Sequence, residues 1–503
     1  MEQLLLIRIQ LMKTLLLLLV TLFSFKVLAT DSLNEAQIYI QEYMTELRTD
    51  PATKMQTLPD IIKRDGSIYR RGQIRSFGDS QNFLRDISRT YIEFEPFFSV
   101  PGSEVEISNF FENTSINKNL FTMHTQQLNV GVPQTLPWGG SYWPTHKGLI
   151  AARYADAGFP GSREWDVNYH YVRDMPAENY IPDRVYALSP AEKYDLLIGN
   201  TTWTLPARMW KEGLAIFQAL GYVATWQGIC HGWAAAAHFS TPEPGHHVDV
   251  VSTTGIPIRF YKSDIKALAS WLWAATSPPA QFIGSRCRIK NPARDENGRI
   301  LAEECFDVNP GFWHLALAYR VGAEKRSLVI DSTFDAEVWN FPVTKFKTTY
   351  FNPESLRPSF HPTASVIPVE RYTSDKFKKY RSSDTKYIVG IMMDVSHASI
   401  QSPGTTTNEE MIEKTVRYMY DLELNQNHEI IGGEWYTNGH PDFIWSYKAG
   451  SQAKTTSDLQ LDPNIVWDGP AVPAPLAEAA FTESKKGLVL SRIVNELIKR
   501  SLQ

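Results

Sequence analysis

The spacing of apolar residues along the chain changes period several times, and each change marks an element. "DSLNEAQIYIQEYMTEL" places apolar side chains three and four apart, with Asp31 or Ser32 as cap, and predicts an amphipathic helix. "LSPAEKYDLLIGN" has Ser189 as cap, Pro190 at the first helical position and Glu192 three residues after the cap, the order of a capping box. Residues 205–224 keep helical spacing, and so does "SDIKALASWLWAAT", with Ser263 as cap. Between and after these, "HVDVVSTTG", "FWHLALAYRVG", "RSLVIDSTFD", "YIVGIMMDV" and "EIIGGEWY" read as strands. "NEEMIEKTVRYMY" reads as a helix interrupting the later strands. "DGPAVPAPLAEAA" reads as a linker, and Lys486 to Leu502 as a closing helix. No internal repeat is visible. The pattern predicts an α+β protein, an antiparallel sheet with helices.

The first residues have another kind of pattern. "MKTLLLLLVTLFSFKVLA" has a basic start at Lys13, an apolar run from Leu15 to Phe25 and a small residue, Ala29. That is the layout of a secretory signal over residues 1–29, with Met12 as an alternative start. Lys26 interrupts the run before it is long enough to span a bilayer. Nothing later reads as transmembrane, so the expected mature chain is secreted, extracellular or periplasmic, in a space that permits disulfides. The remainder divides into a mixed, partly helical region or pro-segment (30–132), a catalytic domain (133–450) and a linker with the C-terminal helix (451–503).

Composition narrows the function. A net charge of −5 without a basic cluster argues against nucleic acid. Fourteen tryptophans fit large cores or exposed platforms for glycans and peptides. Three cysteines leave an odd one. Cys287 and Cys305 flank the turn-rich "NPARDENGR", and closing that loop would stabilise by about 3 kcal/mol. Their pairing would leave Cys230 free; the competing pairing joins Cys230 to one of them.

Cys230 lies in "TWQGICHGWAAAAHFS", between poor helix starters and four alanines. It is expected at a helix N-terminus, where free N–H groups and the helix dipole lower a thiol pKa. A base and an orienting acid are available downstream. If Gly322-Ala323 forms a two-residue II′ turn, Val321 pairs with Glu324, and His314 stands directly opposite Asp331 with Cβ atoms about 5 Å apart. A four-residue loop would move Asp331 to face Ala316 but keep both on one face. Asp331 sits among Val and Ile, where an acid needs a partner. The residues therefore point to a Cys230–His314–Asp331 triad.

In this order, Cys, His and then Asp in "DST", the chain resembles the transglutaminase and papain-like superfamily. "PWGGSYWPTHKGLIAARYAD", "WQGICHGWAAA", "DVNPGFWHLAL" and "VWNFPVTKFK" resemble blocks of the transglutaminase elicitors of plant-pathogenic oomycetes and their bacterial relatives. The resemblance covers about Leu136 to Trp445. It implies a papain/transglutaminase-like core, an antiparallel sheet packed on the helix that bears the nucleophilic Cys, with a helical N-terminal region. It implies protein-glutamine γ-glutamyltransferase activity on protein substrates carrying Gln and Lys, through a thioester on Cys230. His314 would serve as acid and base, and Asp331 would hold its tautomer. Trp226 and Gln227 are the oxyanion-donor candidates beside the Cys230 N–H. No cofactor is required for the chemistry, and Ca2+ enters by family analogy alone. The last block stands where those proteins carry the peptide that plants sense, and it departs from that pattern at Phe341 and Thr344-Lys345.

Other motifs are weaker. Adjacent histidines in "GHHVD" point to opposite faces of a strand, "DENGR" lacks the full calcium-loop spacing, and His231 and His238 flank the Cys segment. Glu434 and His440 follow a Gly pair that can mark a cleft wall. The alternatives to transfer are a cysteine peptidase, amidase or glutamine deamidase using the same triad, and a non-enzymatic cell-surface binding protein.

Overall fold

The computed structural model describes residues 33–74, 110–111, 116–239, 242–287, 289, 291–332, 337–406 and 410–503. The expected signal segment lies outside the described residues. Residues 33–49 form a helix, α1, as the spacing predicts. Two short strands follow, β1 (Asp60–Ile62) and β2 (Ile68–Tyr69). Helix α2 (Pro190–Leu197) starts with the predicted capping box: the Ser189 hydroxyl accepts from the Glu192 N–H and the Glu192 carboxylate accepts from the Ser189 N–H. Helix α3 (Thr204–Leu220) ends at Gly221 in the left-handed region. Helix α4 (Cys230–Phe239) carries the odd cysteine, and α5 (Lys262–Thr276) is capped at Tyr261, two residues before the expected Ser263, with Asp264 accepting from the Tyr261 N–H.

The other strands along the main path of the sheet are β3 (Ala280–Gly284), β4 (Val329–Asp331), β5 (Asn340–Phe351), β6 (Tyr387–Ala398), β7 (Glu413–Leu424) and β8 (Phe443–Tyr447). They form an antiparallel sheet in the order β2-β1-β7-β6-β5-β4-β8-β3. The class is α+β.

Two elements differ from the sequence reading. "NEEMIEKTVRYMY" was expected to be helical, but its second half is the long strand β7, paired with β6 over its whole length from Tyr387↔Leu424 to Ala398↔Glu413. Cross-strand pairing outweighs the helical spacing of a short window. "FWHLALAYRV" was expected to be a strand, but Pro310–Ala316 is an α-helix, α6, continuing as a π-helix over Leu317–Ala323. Asn309 caps it by accepting from the Gly311 N–H, and Pro310 occupies its first turn. All of the stretch but Phe312 and Tyr319 is buried, and those two are aromatic, so no polar stripe betrays the helical period. The expected linker also folds: Ala474–Ser484 is a helix, and Ser491–Arg500 closes the chain.

The sheet separates cores. Along β4, Val329 belongs to a core with α4, α5 and the C-terminal helices, while Ile330 belongs to a second core with α6, β6 and β7. Along β8, Phe443, Trp445 and Tyr447 face the first core and Ile444 the second. Helix α1 covers a further part of the sheet with Tyr39, Ile40 and Met44, against Phe351, Met392 and Met419. The region expected as an appendage or pro-segment thus contributes a core of its own.

Helix α4 fits its place because its side chains are small. Ala234 to Ala237 are fully buried. A Cβ at Gly232 would stand 2.3 Å from the Ser270 carbonyl oxygen of α5, so only glycine allows this approach. Gly232→Ala is therefore expected to destabilise the protein by about 1–3 kcal/mol. Gly469→Ala, where nothing lies within 4 Å, should be near neutral. Chemical denaturation of both variants checks this.

Candidate functional site

The loop into α4 is stitched to the Trp- and Gly-rich block before it. The Ile229 N–H donates to the Tyr142 carbonyl at 2.7 Å, and the Thr145 N–H donates to the Gln227 carbonyl at 2.9 Å. Trp233, one turn into the helix, donates its indole N–H to the Trp138 carbonyl at 3.2 Å. Gly140 lies against that indole, where a Cβ would come within 2.7 Å of the ring. The "PWGGSYW" block therefore fixes where α4 begins, and Cys230 is its first residue.

Cys287 and Cys305 form the expected disulfide, and Cys230 is free and buried. Its thiol donates to the Val338 carbonyl at 3.5 Å, and the Asn340 amide nitrogen lies 3.4 Å from the sulfur. The Asn340 amide oxygen in turn accepts from the Trp445 indole N–H at 2.7 Å. Asp331 is the cross-strand partner of Asn340 in the β4–β5 ladder. One Asp331 oxygen accepts from the Trp339 N–H at 2.9 Å, and the Trp339 ring packs on Tyr142 with centroids 5.1 Å apart.

The electrostatics differ from the expectation at the thiol. A helix N-terminus was expected to lower its pKa, yet burial pushes the Cys230 thiol up, and the Asp331 charge adds to this. The Asn340 side chain, its backbone N–H and the His231 N–H pull in the opposite direction without overcoming burial. Asp307 is pushed well up by burial and by Asp331. His440, 3.9 Å from Asp307, is pushed down to about 4 by burial.

The triad geometry read from sequence is not what forms. His314 lies in α6, so the hairpin that would set it opposite Asp331 does not exist. Its Nδ1 lies 2.9 Å from the hydroxyl of Tyr420, a residue of the second core, whereas Cys230 starts the helix that packs in the first core. Cys230 and Asp331 do come to one place, and the residue that joins them there is Asn340. Trp226 leans on the first core from the loop before Cys230, and Gln227 binds Thr145 through its backbone. The group seen donating to the sulfur is Asn340, which the sequence reading missed. The available signal was an uncharged amide between two aromatics in "VWNF", at the start of a strand where a polar residue needs a partner.

The weaker motifs have structural occupations. Glu434 is paired with Arg299 at 2.7 and 2.9 Å, and His440 stacks on Trp435. One Asp295 oxygen accepts the N–H groups of Asn297 and Arg299, and the other accepts from the Tyr380 hydroxyl. His231 is pushed down to about 4 and His238 to about 3, both by burial.

Residues 215–464, which include Cys230, Asp331, Asn340 and Trp445, match the family described as Transglutaminase elicitor. Among solved structures, the crystal structure of the GP42 transglutaminase from Phytophthora sojae matches at 22% identity with a TM-score of 0.45. That match covers 71% of this chain and 92% of that chain. No curated protein matches the chain. No helix among the described residues is long and apolar enough to cross a membrane.

Burial holds His314 down to about 3, against an ordinary value of 6.5. Such a group is neutral when folded, while the unfolded chain takes up its proton below about pH 6.5. The unfolded state then binds more protons, so stability falls as pH drops from about 6.5 toward 3. Thermal melts should show this acid-side loss, and His314→Leu should flatten part of the slope. The same substitution should leave the alkylation of Cys230 unchanged, as mass spectrometry of the labelled peptide would record.

Proposed function

We propose that this chain, which over residues 215–464 belongs to the transglutaminase elicitor family, is a thiol acyltransferase that joins protein glutamine to an amine. The observation that carries the reading is the free Cys230, at the start of a buried helix with an amide donor aimed at its sulfur. In the first step the sulfur attacks the carboxamide carbon of a protein glutamine. The C–N bond breaks, the thiol's proton leaves with the ammonia, and a thioester remains. A lysine amine then attacks the thioester carbon. The C–S bond breaks, the amine's proton returns to the sulfur, and an isopeptide bond is left.

The residues around the sulfur suit this chemistry. N–H groups at the head of α4, those of His231 and Cys230 itself, would donate to the carbonyl oxygen as it gains charge. Asn340 stabilises the thiolate, compensating in part for burial. Asp331 anchors the segment that carries Val338 and Trp339 against the thiol. Cys230 is 4% exposed, and excluding water from a thioester favours an amine over hydrolysis. The leader pattern and the disulfide support action outside the cytoplasm.

Incubation with a glutamine-donor protein and a fluorescent primary amine tests the proposal. Amine incorporation is expected, and Cys230→Ala should abolish it. Asn340→Ala should lower turnover by about tenfold below the midpoint of thiol ionisation, the effect of about one pH unit less thiolate stabilisation. Release of glutamate without incorporation would turn the reading to deamidation. Full incorporation by Cys230→Ala would end it.

A further inference from the structure

We propose that Trp445 is a positioning residue that sets which end of the Asn340 amide meets the Cys230 sulfur. The inference rests on Cys230 being the nucleophile, and it concerns what makes that thiol ionise. An asparagine side chain is a donor at one end and an acceptor at the other, and the two ends have nearly the same shape. Sterics alone would let it present either end to the sulfur. An oxygen there would oppose the thiolate, whereas an N–H stabilises it.

An indole N–H can only donate. The atom it meets must therefore be the amide oxygen, and Trp445 Nε1 stands 2.7 Å from Asn340 Oδ1. That fixes the nitrogen on the other side, where it lies 3.4 Å from the sulfur. Reversing the amide would set N–H against N–H at Trp445 and oxygen against sulfur at Cys230, two losses in one buried place. Both side chains are held firmly: Asn340 is 3% exposed and Trp445 1%. Trp445 lies on β8 and Asn340 on β5, with β4 between them, so the contact crosses the middle strand on the face that carries α4. The neighbouring aromatics Phe282 and Tyr447, with ring centroids 6.0 and 5.4 Å from Trp445, keep the indole in place. Trp445 acts on the sulfur through the amide.

The test is the pH dependence of Cys230 alkylation by iodoacetamide in the full chain. The midpoint of the profile reports ionisation and is separate from access to the sulfur. Trp445→Phe keeps a ring and removes the N–H. Its midpoint should move up by about one pH unit, which is about tenfold less thiolate at a fixed pH below the midpoint. Asn340→Ala should move it the same way. The Trp445→Phe, Asn340→Ala double variant should match Asn340→Ala alone, because Trp445 has nothing left to orient. Asn340→Asp keeps an acceptor for the indole but turns an oxygen to the sulfur, and should raise the midpoint furthest. An unchanged midpoint in Trp445→Phe beside a shifted one in Asn340→Ala would overturn the role of Trp445. Additive shifts in the double variant would overturn it too. An unchanged midpoint in Asn340→Asp would overturn the donor role of Asn340. None of these readings depends on amine transfer, so failure of the acyltransferase proposal would be seen separately.

Discussion

The site depends on how closely α4 approaches its neighbours. Four buried alanines and a glycine let the helix lie against both α5 and the sheet, at a distance that larger side chains would forbid. That spacing puts the first residue of the helix within reach of the first residue of β5. Without it, Cys230 and Asn340 would be separate polar groups in separate layers. The aromatic block before the helix serves the same end: Tyr142 and Trp138 take up the hydrogen bonds that set the axial position of α4. Thus the smallest and the largest residues of this region solve one geometric problem from two sides.

That arrangement leaves the thiol in an expensive environment. Burial opposes the thiolate, and a nearby carboxylate opposes it further. The donors supplied in return are an amide and backbone N–H groups, which carry no formal charge. Such a site holds a neutral thiol more readily than an ion pair would. It therefore suits the role proposed for Cys230, a nucleophile that ionises as substrate arrives.

Much of this was legible in the chain. The free cysteine, its helix and the disulfide followed from residue counts, alanine propensity and loop chemistry, and Asp331 stood out as an acid among β-branched residues. The failure at His314 has a definite cause. An alternating reading of "FWHLALAYRV" assumed one solvated face, but all of the segment except the aromatics Phe312 and Tyr319 is buried, so its polarity carries little of the helical period. The capping information in "NPG" was there, since Asn309 and Pro310 start a helix, and it deserved more weight than the alternation. Asn340 was hidden for another reason. A neutral amide declares no function until its partners are known, and those partners lie 110 residues before it and 105 residues after it.

Strand β5 has a further consequence. It starts at Asn340, beside the sulfur, and ends at Phe351, in the core that α1 covers. A single twelve-residue strand thus spans from beside the Cys230 sulfur to the core that the N-terminal helix covers. The strand resists slipping, because β4 holds its residues 340–342 and β6 holds those from Val343 to Phe351. The strand can therefore act as a tie rod: load placed on α1 by a contact or a cut is delivered to the far end of the strand, where the thiol's amide donor is mounted.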